Sequence, residues 1–208
     1  MTVVIDTRSD LTLETARRVG WQHENVRLSD RVMVAMAEGR DRLLRVLEHD
    51  PEITIYGVTT GAGQMAKTRL NPEERRGWAK MSPVGAATSW GDPLPERVVR
   101  MIVLARLTNF VEGHAAVSPA IAQGVAAMLG GAMMPVVPAR GQGGAGEILS
   151  LSHLFMDLVE QVEPEEKDVM CLVNGSPSAT GLVTDAALVA EHRLQVAAEI
   201  LALSFEAF

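Results

Sequence analysis

SATGLVTDAALVAEHRLQVAAEILALSFEAF, residues 178–208, is the stretch that decides the fold. Its 31 residues read as one helix, about 46 Å long at roughly 1.5 Å per residue. The closing segment LALSFEAF has no terminal glycine, no polar tail and no basic last turn, so the helix stays apolar to its end. The expectation is that something outside these residues covers it. Working backwards, residues 97–111, 119–129 and 148–162 read as three more helices, with apolar side chains recurring at three and four. Val98, Ile102 and Ala105 fall on one side of the first, and Val99, Val103, Leu107 and Phe110 surround them. A helix apolar over most of its circumference must be buried among others.

Composition agrees with a helical body. Hydrophobic residues make up 47% of the 208 but aromatic ones only 4%, so the apolar content is mainly Ala, Val, Leu and Met. The formal charge is -7, and no stretch clusters Lys or Arg with interleaved aromatics, which argues against nucleic acid as a partner. No run approaches about 18 uninterrupted apolar residues, and the acids in MTVVIDTRSD are foreign to a secretory leader, so a cytoplasmic, non-membrane protein is expected. A single cysteine, Cys171, leaves no internal disulfide.

Before residue 95 the pattern is mixed. An apolar stretch at 2–5, a helix over 12–19, a short NVRLSD segment and a helix over 30–48 with Asp30 as its N-cap precede Asp50-Pro51, which ends that helix. ITIYGV, residues 53–58, reads as a strand or extended segment feeding a glycine-rich loop.

Four segments carry chemistry: YGVTTGAG at 56–63, VGAATSWGDPL at 84–94, PARGQGGAGEILSLSH at 138–153 and KDVMCLVNGSPSAT at 167–180. In this order they resemble the Y-G-(I/V)-N-T-G-F-G, S-H-A-A-G-I-G-x-P-L, P-x-x-G-S-V-G-A-S-G-D-L-A-P-L-A-H and K-E-G-L-A-L-(L/I)-N-G-T-Q-x-x-T motifs of the histidine/phenylalanine ammonia-lyase family. The resemblance covers the N-terminal half of that family. It implies a mainly α fold, a long-helix bundle of the ammonia-lyase (fumarase/aspartase-like) type, with residues 1–94 as a small mixed α/β region holding the tyrosine loop and residues 95–208 as half of the bundle.

In the family, an Ala-Ser-Gly tripeptide cyclises and dehydrates to an electrophilic methylidene-imidazolone. Here the matching residues are Gly144, Ala145 and Gly146, and a methyl has no leaving group, so the resemblance implies a protein without that cofactor. It also implies Tyr56 as the catalytic base and Asn174 as a catalytic neighbour. Thr59 replaces the loop asparagine, Ala62 its phenylalanine, and Ala86 is read in place of the histidine. With Gly61 and the Gly144–Gly146 loop, these residues are expected to contact substrate in an enlarged pocket. Only 13 residues separate His153 from Lys167, fewer than in the family. The family's C-terminal half, which completes bundle and pocket, is expected on a second polypeptide in a hetero-oligomer.

Each signal has a plainer reading. Gly141 to Gly146 also spells G-x-G-x-x-G, but Pro135 and Pro138 spoil the parallel strand that a dinucleotide fingerprint requires. A free phenol titrates at about 10, so a base at position 56 needs help from neighbours. His114 and His153, in apolar helical surroundings, read as core residues, Cys171 in MCLV as a buried inert thiol, and EPEEKD at 163–168 as a solvated turn. No spacing suggests a metal site. The expected function is a cofactor-less lyase-like enzyme of biosynthesis that eliminates, adds or cyclises an activated small molecule by proton transfer. The alternatives are a non-catalytic scaffold or regulatory subunit, or an inactive remnant.

Overall fold

In a computed structural model that describes residues 1–131 and 133–207, the chain is mainly helical. Strand β1 (Thr2–Ile5) and strand β2 (Asn25–Leu28) pair in parallel, with Val3 opposite Val26 and Ile5 opposite Leu28. Their alternation puts those four side chains into the core. Helix α1 (Leu13–Gly20) connects them, capped by the Thr12 hydroxyl on Thr15 N at 3.1 Å. Helix α2 (Asp30–His49) follows β2. Its cap is Ser29, whose hydroxyl accepts from Val32 N, so Asp30 is the first helical residue and not the cap.

The segment 53–58 is not a strand. Val58 N and Thr59 N both bond back to Ile55 O, and the Thr59 hydroxyl donates to Ile53 O at 2.7 Å and accepts from Ile55 N at 2.8 Å. These local bonds satisfy the backbone internally and curl it into a turn, overriding the β propensity of Ile and Thr. Helix α3 (Pro72–Ala79) then begins with a capping box from Asn71 and Glu74.

Strand β3 (Trp90–Pro93) leads into α4 (Glu96–Thr108), in which every residue from Val98 to Leu107 is buried. After α5 (Pro119–Met128), strand β4 (Pro138–Arg140) runs antiparallel to β3. The glycine-rich loop therefore follows an antiparallel edge, and the dinucleotide fold is excluded. Helices α6 (Ile148–Gln161), α7 (Asp168–Val173) and α8 (Pro177–Glu206) complete the chain; the expected end of the last helix at Phe208 lies outside the described residues. One apolar cluster joins Ile5, Val19 and Met36 to Ile102, Phe155 and Leu188, so both sides of residue 94 feed the same core.

Helix α8 lies along α4 because Gly181 lets the two backbones approach: a Cβ there would sit 2.7 Å from Ile102 N. The Asp185 carboxylate fixes the register, accepting from Arg97 Nε and from Trp21 Nε1, each at 2.9 Å. Beyond this the helix leaves the body. From residue 191 to 207 every position is exposed, including Leu194, Ile200, Leu203 and Phe205. Within this chain the second half of this apolar helix is therefore not buried.

Gly181→Ala is expected to lower the thermal midpoint by several degrees, since overpacking a close contact costs about 1–3 kcal/mol. Melting followed by circular dichroism checks it; an unchanged midpoint would mean that α8 is free to lift off α4.

Candidate active site

Among the described residues, an apolar cavity of about 310 Å³ opens between the tyrosine loop, residues 78–86 and the first turns of α6 and α7. Tyr56 stands at its mouth, half exposed. The Tyr56 Oη accepts a hydrogen bond from Gly63 N at 2.9 Å, which fixes the ring while leaving the phenolic proton and one lone pair for a ligand. Opposite, Asn174 lines the same wall as Ile148, Val173 and Met170, and Ala62 and Ala86 contribute only methyl groups.

The other five expected contacts do not line the cavity. Thr59 is buried with its hydroxyl spent on its own turn, Gly61 packs against Met65, and neither lines the cavity. The residues Gly144, Ala145 and Gly146 sit just behind it, in a turn where Gly144 has φ 108° and Gly146 φ 71°. A Cβ on Gly146 would lie 2.5 Å from the Asn174 Oδ1, so the loop abuts the asparagine through bare backbone. The side chain of Ala145 is a methyl.

Two carboxylates hold this wall. The Glu147 side chain accepts from Ser178 N at 2.6 Å and Ala179 N at 2.9 Å, the first free amides of α8. The Asp168 side chain, fully buried, accepts from Ser118 N at 2.7 Å and Glu165 N at 2.9 Å. The segment 163–168 is therefore only partly a solvated turn: Asp168 is inside, and Glu165 and Glu166 pair with Arg40 and Arg75.

Sequence reasoning missed Trp78, Met81, Lys167 and Ser152 as lining residues. The last is the most informative, because its hydroxyl is fully buried and has no hydrogen-bond partner. It had a signal: Ser152 stands where the motif PARGQGGAGEILSLSH meets the alanine of A-P-L-A-H. Lys167 takes a left-handed conformation, φ 76°, at the start of α7. His153 is partly buried, with an unpartnered Nε2, whereas His114 is largely exposed in a turn and is not a core residue. Ala86 and its neighbour Gly85 both line the cavity, and a Cβ on Gly85 would meet open space. Among the described residues no three His, Cys, Asp or Glu side chains form a group that could hold a metal ion, and no helix is long and apolar enough to cross a membrane.

The sequence profile of aromatic amino acid lyases matches residues 11–161. The chain belongs to the aromatic amino acid lyase family. It is 27% identical to histidine ammonia-lyase of Geobacillus thermodenitrificans, over 99% of this chain and 45% of that enzyme. It is 28% identical to the probable histidine ammonia-lyase of Thermoplasma acidophilum, over 99% of this chain and 46% of that protein. The chain thus spans about half the length of the curated relatives it matches, and that half is N-terminal. Among solved structures, the tyrosine aminomutase of Streptomyces globisporus superposes with a TM-score of 0.73 at 26% identity, over 88% of this chain and 38% of that one. The ergothioneine-degrading enzyme ergothionase of Treponema denticola shares the fold, with a TM-score of 0.77 at 19% identity over 88% of this chain and 41% of that one. The lyase-type helical bundle expected from the motifs is the fold observed.

Cys171, behind the cavity wall, donates to Ala115 O at 3.3 Å, and burial pushes its thiol up to about 11. A thiol whose folded value lies above its ordinary 9.0 stabilises the fold below that value and loses the contribution as pH rises towards about 11. The native chain at pH 8 should therefore resist a thiol reagent and react fully only when denatured, and its melting point should fall between pH 9 and 11 more steeply than that of Cys171→Ala. Rapid labelling of the folded chain at pH 8 would contradict the burial.

Proposed function

We propose that this chain is one subunit of a split member of the family that works without the electrophile, moving a proton on an activated small molecule in cytoplasmic biosynthesis. The observation that carries the reading is the pairing of two features. Tyr56 and Asn174 face one apolar cavity, while the residue in the place of the cyclising serine is Ala145, whose methyl cannot leave. The tripeptide present does not fit the methylidene-imidazolone.

Without an electrophile the substrate must bring its own activation, as a carbon beside a carbonyl or thioester, or within a conjugated chain. The Tyr56 oxygen, oriented by Gly63 N–H, takes the proton at that carbon when it is a phenolate and returns one when it is a phenol. Closure of the apolar wall by Met81, Pro83 and Met170 excludes water and positions a largely hydrocarbon substrate, so that elimination, addition or cyclisation follows from proximity. The second polypeptide supplies the family's C-terminal half. Its support is the exposed face of α8, where Leu194, Ile200, Leu203 and Phe205 are each more than half exposed. The same face supports the competing reading of a non-catalytic scaffold for a partner lyase, which would be favoured by an intact Ala-Ser-Gly in the partner.

Affinity purification from the source cells is expected to yield a second chain resembling the C-terminal half of the family. Turnover by the assembly should fall about 10²–10⁴-fold in Tyr56→Phe, the usual weight of a general acid or base. A partner of unrelated sequence, or full turnover by Tyr56→Phe, would overturn the respective half of the proposal.

A further inference from the structure

Helix α4 buries two arginines, and they are treated differently. Arg100, 1% exposed, is saturated by main-chain carbonyls: Nε donates to Val19 O at 2.7 Å, and Nη2 to Glu24 O at 2.9 Å and Leu129 O at 3.3 Å. Arg106, 3% exposed, donates a single hydrogen bond, from Nη2 to Asn174 O at 3.0 Å. Its Nε is buried with no partner. The Phe110 ring lies 6.0 Å from the guanidinium carbon, a contact that helps a cation but satisfies none of its donors. Among the described residues no carboxylate stands within ion-pair distance of it, and the nearby Glu147 carboxylate is already spent on the α8 amides. Burial without such a partner pulls the arginine down to about 10.

A guanidinium with five donors and one acceptor in a buried position is the signature of a place prepared for an anion. Arg106 lines a second cleft, of about 210 Å³, with a character opposite to that of the first. Its rim is polar and open to solvent, formed by Asn109, Gly175, Ser176 and Thr180. At Gly175, with φ 131°, a Cβ would stand 3.3 Å from Nη2 and 3.5 Å from Nη1, so the missing side chain is what leaves the guanidinium approachable from that side. Asn174 lines both clefts, with its carbonyl on Arg106 and its side chain towards the Gly146 backbone.

We propose that this cleft is an oxyanion site in which Arg106 receives a carboxylate or phosphate group, with the Asn109 amide and the Ser176 hydroxyl completing the shell; the Thr180 hydroxyl is already spent on Ser176 O at 2.8 Å. Planar guanidinium donors match either group in paired geometry, which chloride cannot reproduce. The site is separate from the apolar cavity and does not depend on the reaction assigned to that cavity. It lies one residue's thickness behind it, at Asn174.

The test is thermal unfolding of the full chain in inorganic phosphate, in succinate and in chloride at matched ionic strength. The expected result is a saturating rise of the melting point by several degrees in phosphate or succinate but not in chloride, following the linkage of a ligand bound only by the folded state. The larger of the two shifts assigns the site to phosphate or to carboxylate. Arg106→Met abolishes the saturating rise. Should that variant fail to fold, Asn109→Leu and Ser176→Ala, at the exposed rim, weaken the apparent affinity at least threefold. Equal melting points in all three salts, or a saturating rise that survives Arg106→Met or is untouched by both rim variants, overturns the proposal.

Discussion

The Glu147 carboxylate bonded to the first amides of α8 is the interaction on which the rest of this structure depends. It joins the two halves of the candidate site: the turn carrying Gly144, Ala145 and Gly146 on one side, and the start of the 30-residue helix on the other. Glu147 itself sits in a left-handed conformation, φ 52°, which costs a non-glycine residue about 1–2 kcal/mol. Two charge-assisted hydrogen bonds, worth roughly 1.5–3 kcal/mol each, outweigh that strain. A third bond, Gly175 N to Gly146 O at 3.0 Å, closes the junction and sets Asn174 against the turn. The placement of Asn174, and through it of both clefts, follows from this anchoring.

The opposite wall uses the same device. Asp168 is wholly inside, and its two oxygens hold Ser118 N at the start of α5 and Glu165 N in the preceding turn. That bond pair lets Lys167 adopt positive φ and brings α7, with Met170 and Val173, to the cavity. Buried carboxylates that accept main-chain N–H bonds thus replace side-chain packing where the chain has little regular structure. Between these anchors the apolar lining needs only to fill space.

Much of the fold was legible because the helices are strongly periodic. The unbroken burial of α4 from Val98 to Leu107 is what its sequence demands, and three of the four motifs contribute Tyr56, Ala62, Ala86 and Asn174 to one cavity, which Gly144, Ala145 and Gly146 do not line. What the sequence concealed lies in local bonding and in single residues. ITIYGV has the composition of a strand, yet the Thr59 hydroxyl bonds curl it into a turn. Trp78, Met81 and Pro83 carry no pattern, because they reach the cavity from a short helix and an irregular segment. Arg106 is hidden by its apolar neighbours, and its missing partners are visible only once the carbonyls around it are placed.

The proposed function requires a family cavity beside a tripeptide that does not become an electrophile. Peptide mass spectrometry of the natively purified protein tests it most directly. The tryptic peptide spanning residues 141–167, released after Arg140 and Lys167, contains Gly144, Ala145 and Gly146. Its mass should equal the sum of its unmodified residues, with fragment ions unbroken across the three positions. A peptide lighter by one water and two further hydrogens, with the loss mapped to residues 144–146, would show that cyclisation and oxidation at Ala145 build the methylidene after all and would overturn the account.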